Sequence, residues 1–388
     1  MAKLVFPLGL VSILFCLLLP TVQVVSAVSL TEIFVVQDGS NKGGCDTYFD
    51  QVTNTGTLDA WHEEIIYSLT DAINNLDKSY SKDVKIQQAI RTFFGISSKD
   101  KNVKTKVKKI IDNLRKVHDF FNVNKVTRGP AKGDPIYGSN KNRYLFCGSD
   151  FLEEERGDSV ARDWQDKEIM DSKGNPVTIE KVPGYKKALK ADPGIKPWWS
   201  GGIKEPKGYY FSTTGKNYCN KNTKNLALTA AIKVFTGTPP GLTRMRRTVD
   251  MIVLCGESFT NTISPNSYNL GNAKTTPGTS LADVLPKSAT LLHEAFHLIF
   301  GVYDGKNSNM GFLEGDDEKY DLAACIQLAR EHPIKARMNP ENYVFFVTQM
   351  YYLFGKSSGS NEPADIVRNW NFKAIKQGSN YVYGAVNP

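Results

Sequence analysis

Five histidines occur in 388 residues, and two of them stand four apart in Thr290-Leu291-Leu292-His293-Glu294-Ala295-Phe296-His297-Leu298-Ile299-Phe300. The run is apolar enough for a buried helix, on which positions four apart share a face, one turn above the other. Two imidazoles so placed can grip one Zn²⁺ at about 2.0–2.1 Å each. A histidine without a partner is costly to bury, so the pair itself argues for a metal. Glu294 directly follows the first ligand. Its carboxylate lies beside the metal without having to bind it, where a base must sit to take a proton from an activated water. Leu292, Phe296 and Ile299 form the opposite stripe, which would anchor the helix in a core.

Catalytic zinc takes three protein ligands and keeps a fourth position open, and a nearby aspartate is suitable as the third. Asp304, Asp316 and Asp317 follow the helix. Asp304 sits in a Gly/Asn turn, where turn chemistry alone accounts for an aspartate. Asp316 and Asp317 are adjacent, and both suit a cation.

The elements that must position these groups show in the periodicity. Trp61, Ile65, Ile66, Leu69 and Ile73 recur at three- and four-residue steps, which predicts an amphipathic helix from Ala60. A second helix is predicted from about Val84 through Phe94. A third covers Lys104 to Phe121, with Val107, Ile110, Ile111, Leu114 and Val117 inward. Residues 128–245 are rich in Gly, Pro, Lys and Asn, with little helical periodicity. Strand candidates are Arg143–Cys147, Tyr209–Ser212 and Asp250–Cys255. Pro197-Trp198-Trp199 reads as a turn with a buried anchor, Arg244–Arg247 as a solvated charge cluster, and residues 256–285 as a polar loop. Beyond the metal helix, a helix is predicted from about Asp321 to Glu331. Another, capped by Asn339-Pro340, runs through Phe354. The last thirty residues read as loop and tail.

Lys3, an apolar run from Leu4 to Pro20 and the small residues Val25-Ser26-Ala27 read as a secretory signal peptide, residues 1–27. No later segment approaches about 18 uninterrupted apolar residues, so a secreted protein with no membrane partner is expected. Residues 28–58 read as an N-terminal extension and 59–388 as a single catalytic domain. The net charge of +8 lies in Lys-rich patches that no nucleic-acid-binding motif accompanies. A solvated basic surface, a monomer and no nucleic-acid partner are expected. Cys16 leaves with the signal. Cys45, Cys147, Cys219, Cys255 and Cys325 remain, an odd count that implies two disulfides and one free thiol, or an intermolecular bridge. Cys325 lies in an apolar helical run where a thiol packs as a small hydrophobe, so it is expected to be the free one. The other four cysteines allow three pairings, of which Cys45–Cys147 with Cys219–Cys255 is the one expected.

With these segments placed, the chain resembles the fungal deuterolysins and peptidyl-Lys metalloendopeptidases, the aspzincins. Their pattern is H-E-x-x-H followed by a loop carrying G-T-x-D-x-x-Y-G. Here Gly301-Val302-Tyr303 follows His297 much as in deuterolysins, and Asp317-x-x-Tyr320 matches the D-x-x-Y core. The Gly-Thr and the final Gly are absent and the loop is longer. Arg91–Gly95, Ile252–Cys255 and Asn339–Phe346 carry looser similarity, so the resemblance spans most of residues 60–355.

The resemblance implies an α+β, zincin-like metallopeptidase with N-terminal helices, a small sheet and an active-site helix carrying H-E-x-x-H. It implies zinc on His293, His297 and Asp317, Glu294 as base, and the Tyr320 hydroxyl as donor to a developing oxyanion. The expected function is secreted, zinc-dependent endopeptidase cleavage of protein or peptide substrates. The alternative is a secreted zinc-binding or interaction protein on the same scaffold, without peptidase activity. Glu294 discriminates, because a mere zinc binder has no chemical need for a carboxylate there.

Overall fold

The computed structural model describes residues 28–39, 42–123, 143–202, 204–237, 244–301, 311–355, 369–377 and 380–386. The signal segment, Val302, Tyr303 and Asp304 lie outside them.

The chain opens with a single helical turn, α1 (Leu30–Ile33), and strand β1 (Val35–Val36). Three amphipathic helices follow: α2 (Thr57–Ser79), α3 (Val84–Phe94) and α4 (Val103–Val123). They are the three that the periodicity predicts. Asp83 caps α3 by accepting from the backbone N–H groups of Lys85 and Ile86. Gly95 ends it at φ 61°, where a Cβ would meet the Ala329 carbonyl oxygen at 2.1 Å, so only glycine fits.

A seven-stranded mixed sheet comes next, in the order β1-β2-β7-β6-β5-β4-β3. Its later strands are β2 (Arg143–Phe146), β3 (Glu153–Glu154), β4 (Lys196–Trp199), β5 (Tyr209–Ser212), β6 (Ala227–Thr236) and β7 (Arg244–Leu254). β1, β2 and β7 run parallel, and the remaining pairings are antiparallel. Helix α5 (Pro183–Ala191) lies between β3 and β4. Successive strand residues face opposite sides. Leu145, Ile252 and Leu254 therefore join the main core with α2, α3 and α4, while Tyr144, Phe146, Met251 and Val253 pack with Trp198 on the other face.

Several segments differ from their sequence reading. Pro197-Trp198-Trp199 is not a turn but strand, paired with β5. β6, absent from the strand candidates, carries Ile232, Val234, Phe235 and Thr236 in its second half and pairs with β7 along its whole length. Arg244–Arg247 begins β7 and is not a loop cluster before it. Residues 256–285 contain helices α6 (Gly256–Thr260) and α7 (Tyr268–Lys274). The final thirty residues carry a hairpin, β8 (Asn371–Gln377) with β9 (Asn380–Val386).

The carboxyl-terminal helices α8 (Ala289–Phe300), α9 (Leu322–Glu331) and α11 (Pro340–Phe354) follow expectation, and a short α10 (Pro333–Ala336), not predicted, precedes α11. Of the described residues, 45% are helix and 19% strand around a mixed sheet, which is compatible with α+β. Cys45–Cys147 and Cys219–Cys255 are disulfides and Cys325 is free and buried, as expected. Residues 28–58 supply β1 and Cys45, so this segment is built into the sheet. Among the described residues, no helix is long and apolar enough to cross a membrane.

Candidate metal centre

α8 packs against β6, β7 and α11. Leu292, Phe296 and Ile299 are buried, and the Phe296 ring sits among those of Phe300, Phe312 and Tyr343. At the helix start, the Ser288 hydroxyl donates to Glu64 Oε2 at 2.5 Å, which ties α8 to α2. With the apolar stripe so fixed, Ala289, His293 and His297 line a cavity of about 620 Å³.

The third group at the histidine pair is Glu318. Its Oε1 lies 3.1 Å from His293 Nε2 and 3.1 Å from His297 Nε2. One donor atom from each of the three residues falls within 4.8 Å of the others, so the group could hold a metal ion. Tetrahedral zinc with bonds of about 2.1 Å sets its ligand atoms roughly 3.4 Å apart, so a small outward shift would admit the ion.

Asp317, the expected ligand, is not brought to the histidines. Its side chain is 66% exposed and pairs with Lys335 Nζ at 2.9 Å. Asp316 is exposed too. Both lie in the 3₁₀ turn Gly315–Asp317, and the chain becomes extended at Glu318, which is buried. Tyr320 does reach the site: its hydroxyl donates to Glu318 Oε2 at 2.6 Å and its ring stacks on His293, centroids 5.6 Å apart.

Glu294 is 6% exposed and faces the same cavity without belonging to the donor group. The Thr229 hydroxyl on β6 lies 2.6 Å from Glu294 Oε2 and 2.9 Å from its carbonyl oxygen, fixing the carboxylate. On the far side of His293, Nδ1 donates to Glu341 Oε2 at 2.8 Å. That contact orients the ring and leaves Nε2 toward Glu318.

Among the described residues, none of the buried carboxylates Glu294, Glu318 and Glu341 has an arginine or lysine ion pair. Burial opposes a charge on His293, but hydrogen bonds to Glu318 and Glu341 prevail and hold its pKa well above the usual histidine range. Burial likewise opposes ionisation of Glu318, yet its bonds to both histidines draw its pKa down to about 2. His293, Glu318 and Glu341 thus stabilise positive charge between carboxylates. A divalent ion there would displace the proton from His293 Nε2.

Sequence reasoning missed Glu318, Glu341 and Thr229 as site residues, and Asn339, whose side chain hydrogen-bonds the backbone of Lys319 next to Glu318. Glu318 closes the acidic run Glu314-Gly315-Asp316-Asp317-Glu318, and nothing local says which carboxylate turns inward. Glu341 occupies the first turn of α11, where an acid is already accounted for by the helix dipole. Comparison with protein families, with curated proteins and with solved structures finds no match for this chain.

Proposed function

We propose that the chain is an exported zinc-dependent endopeptidase in which His293, His297 and Glu318 hold the metal and Glu294 is the base. Two histidines and one glutamate, with a fourth position open, form one of the ligand sets of catalytic zinc peptidases. The bound ion would polarise a peptide carbonyl and acidify a water. Glu294, steadied by Thr229, takes the proton of the attacking water and delivers it to the leaving amine. Tyr320 turns its hydroxyl from Glu318 toward the carbonyl oxygen as negative charge develops there.

β6 offers a place for the substrate backbone. β7 pairs with it on one side, whereas among the described residues β5 pairs with it only at Lys233, and Leu226–Thr229 line the cavity. An extended peptide can add to that edge. Relative to the aspzincin pattern, the reading moves the third ligand from the aspartate of D-x-x-Y to the glutamate beside it. The two disulfides suit an oxidising compartment, in keeping with export behind a signal peptide.

The observation that carries the reading is a fixed, buried carboxylate, Glu294, beside a donor group to which it does not belong. Purified protein should bind one equivalent of zinc and digest casein, losing activity to a chelator and regaining it with zinc. Glu294→Gln should keep the zinc and lower kcat by about 10²–10⁴-fold. Near-native turnover by the zinc-loaded variant would rule the mechanism out. A zinc-loaded wild type that cleaves nothing leaves the metal-binding alternative.

A further inference from the structure

The cavity extends beyond the donor group. One turn before His293 on α8 stands Ala289, and one turn after Glu341 on α11 stands Phe345; both line it. Ala282, Leu285, Pro286 and Leu322 line it as well, so six apolar residues from four segments meet there. Two of the six are alanines, which leave room that larger side chains would fill.

The acids of the cavity are largely committed. Glu341 is bound to His293, and Asp321 accepts from the backbone N–H groups of Ala323 and Ala324 as the cap of α9. Glu314 and Lys224 remain, one of each sign. Ala289 stands about one helical turn, roughly 6 Å, from His293, so a substrate whose carbonyl reaches the donor group brings an adjoining side chain beside this recess.

We infer that the recess selects a bulky apolar side chain, leucine, methionine or phenylalanine, at one position next to the scissile bond. The inference rests on the peptidase reading and adds the substrate class to it. Shape and apolar character set the preference, so small substituents leave the recess half filled and charged ones must be desolvated against it.

Two measurements test it on the zinc-loaded full chain. The first is cleavage of a random peptide library, where Leu, Met and Phe should exceed Gly, Asp and Lys at least about tenfold at one flanking position. The second is calorimetric binding of leucine hydroxamate and glycine hydroxamate, which needs no turnover; the leucine compound should bind at least about tenfold tighter. Ala282→Leu and, separately, Ala289→Leu should reduce that ratio about tenfold by occupying the recess. Cleavage with a flat or lysine-led preference, or equal binding of the two hydroxamates, overturns the inference. Tight leucine hydroxamate binding with no peptide cleaved would overturn the peptidase reading and leave the recess standing.

Discussion

Asn339 grips the peptide of Lys319 from both sides: its Oδ1 accepts from the Lys319 N–H at 2.9 Å, and its Nδ2 donates to the Lys319 carbonyl at 2.8 Å. Asn339 is fully buried, and it precedes Pro340, the first residue of α11. One side chain therefore fixes the backbone next to the third donor, Glu318, and also the start of the helix that carries Glu341. Asn339→Ala should weaken zinc binding about 10–100-fold, the usual cost of losing a group that orients ligands. A competition titration with a chelating dye measures this, and unchanged affinity in a folded variant would remove Asn339 from the site.

Glu318 and Asp317 are neighbours with opposite fates. Glu318→Ala should abolish stoichiometric zinc after dialysis, because two histidines alone make a weak site. Asp317→Ala should retain it, since only an exposed surface pair with Lys335 is lost. Zinc content by atomic absorption decides. Metal lost from the Asp317 variant and kept by the Glu318 variant would reverse the assignment.

The 2.8 Å bond between His293 Nδ1 and Glu341 orients the imidazole. Glu341→Gln replaces an acceptor carboxylate by an amide and should lower zinc affinity about 10–100-fold with little change of fold. The expected signature is a normal circular dichroism spectrum together with faster zinc loss to a chelator. A variant that holds zinc as tightly as the wild type would contradict the role.

His62, remote from the metal centre, gives a pH prediction. It is 3% exposed and its Nε2 lies 2.9 Å from the Phe121 carbonyl, joining α2 to the last turn of α4. Burial depresses its pKa below the usual 6.5, against the smaller opposing effects of that hydrogen bond and of Asp59. The folded chain thus takes this proton less readily than the unfolded one. Stability is fully present above about pH 6.5 and is lost as pH falls below it, at no more than about 1.4 kcal/mol per pH unit from this group. Urea midpoints at pH 7 and pH 5 should fall less in His62→Gln than in wild type. Equal falls would show that His62 does not contribute.

The sequence by itself determined what is local. A four-residue spacing on an apolar helix puts His293 and His297 on one face wherever that helix packs. The apolar steps of α2, α3 and α4, the Asn339-Pro340 start of α11 and the burial of Cys325 follow from the same short-range rules. The tertiary structure alone decided what depends on distant partners. Pro197–Trp199 is strand, not a turn, because β5 runs beside it. Glu318 rather than Asp317 faces the histidines because a 3₁₀ turn leaves Asp316 and Asp317 in solvent, and Asn339, twenty residues further on, holds the following peptide. Glu341 meets His293 across 48 residues of chain. Propensity and periodicity reach a turn or two along the chain, whereas a metal centre closes through contacts between segments that only packing brings together.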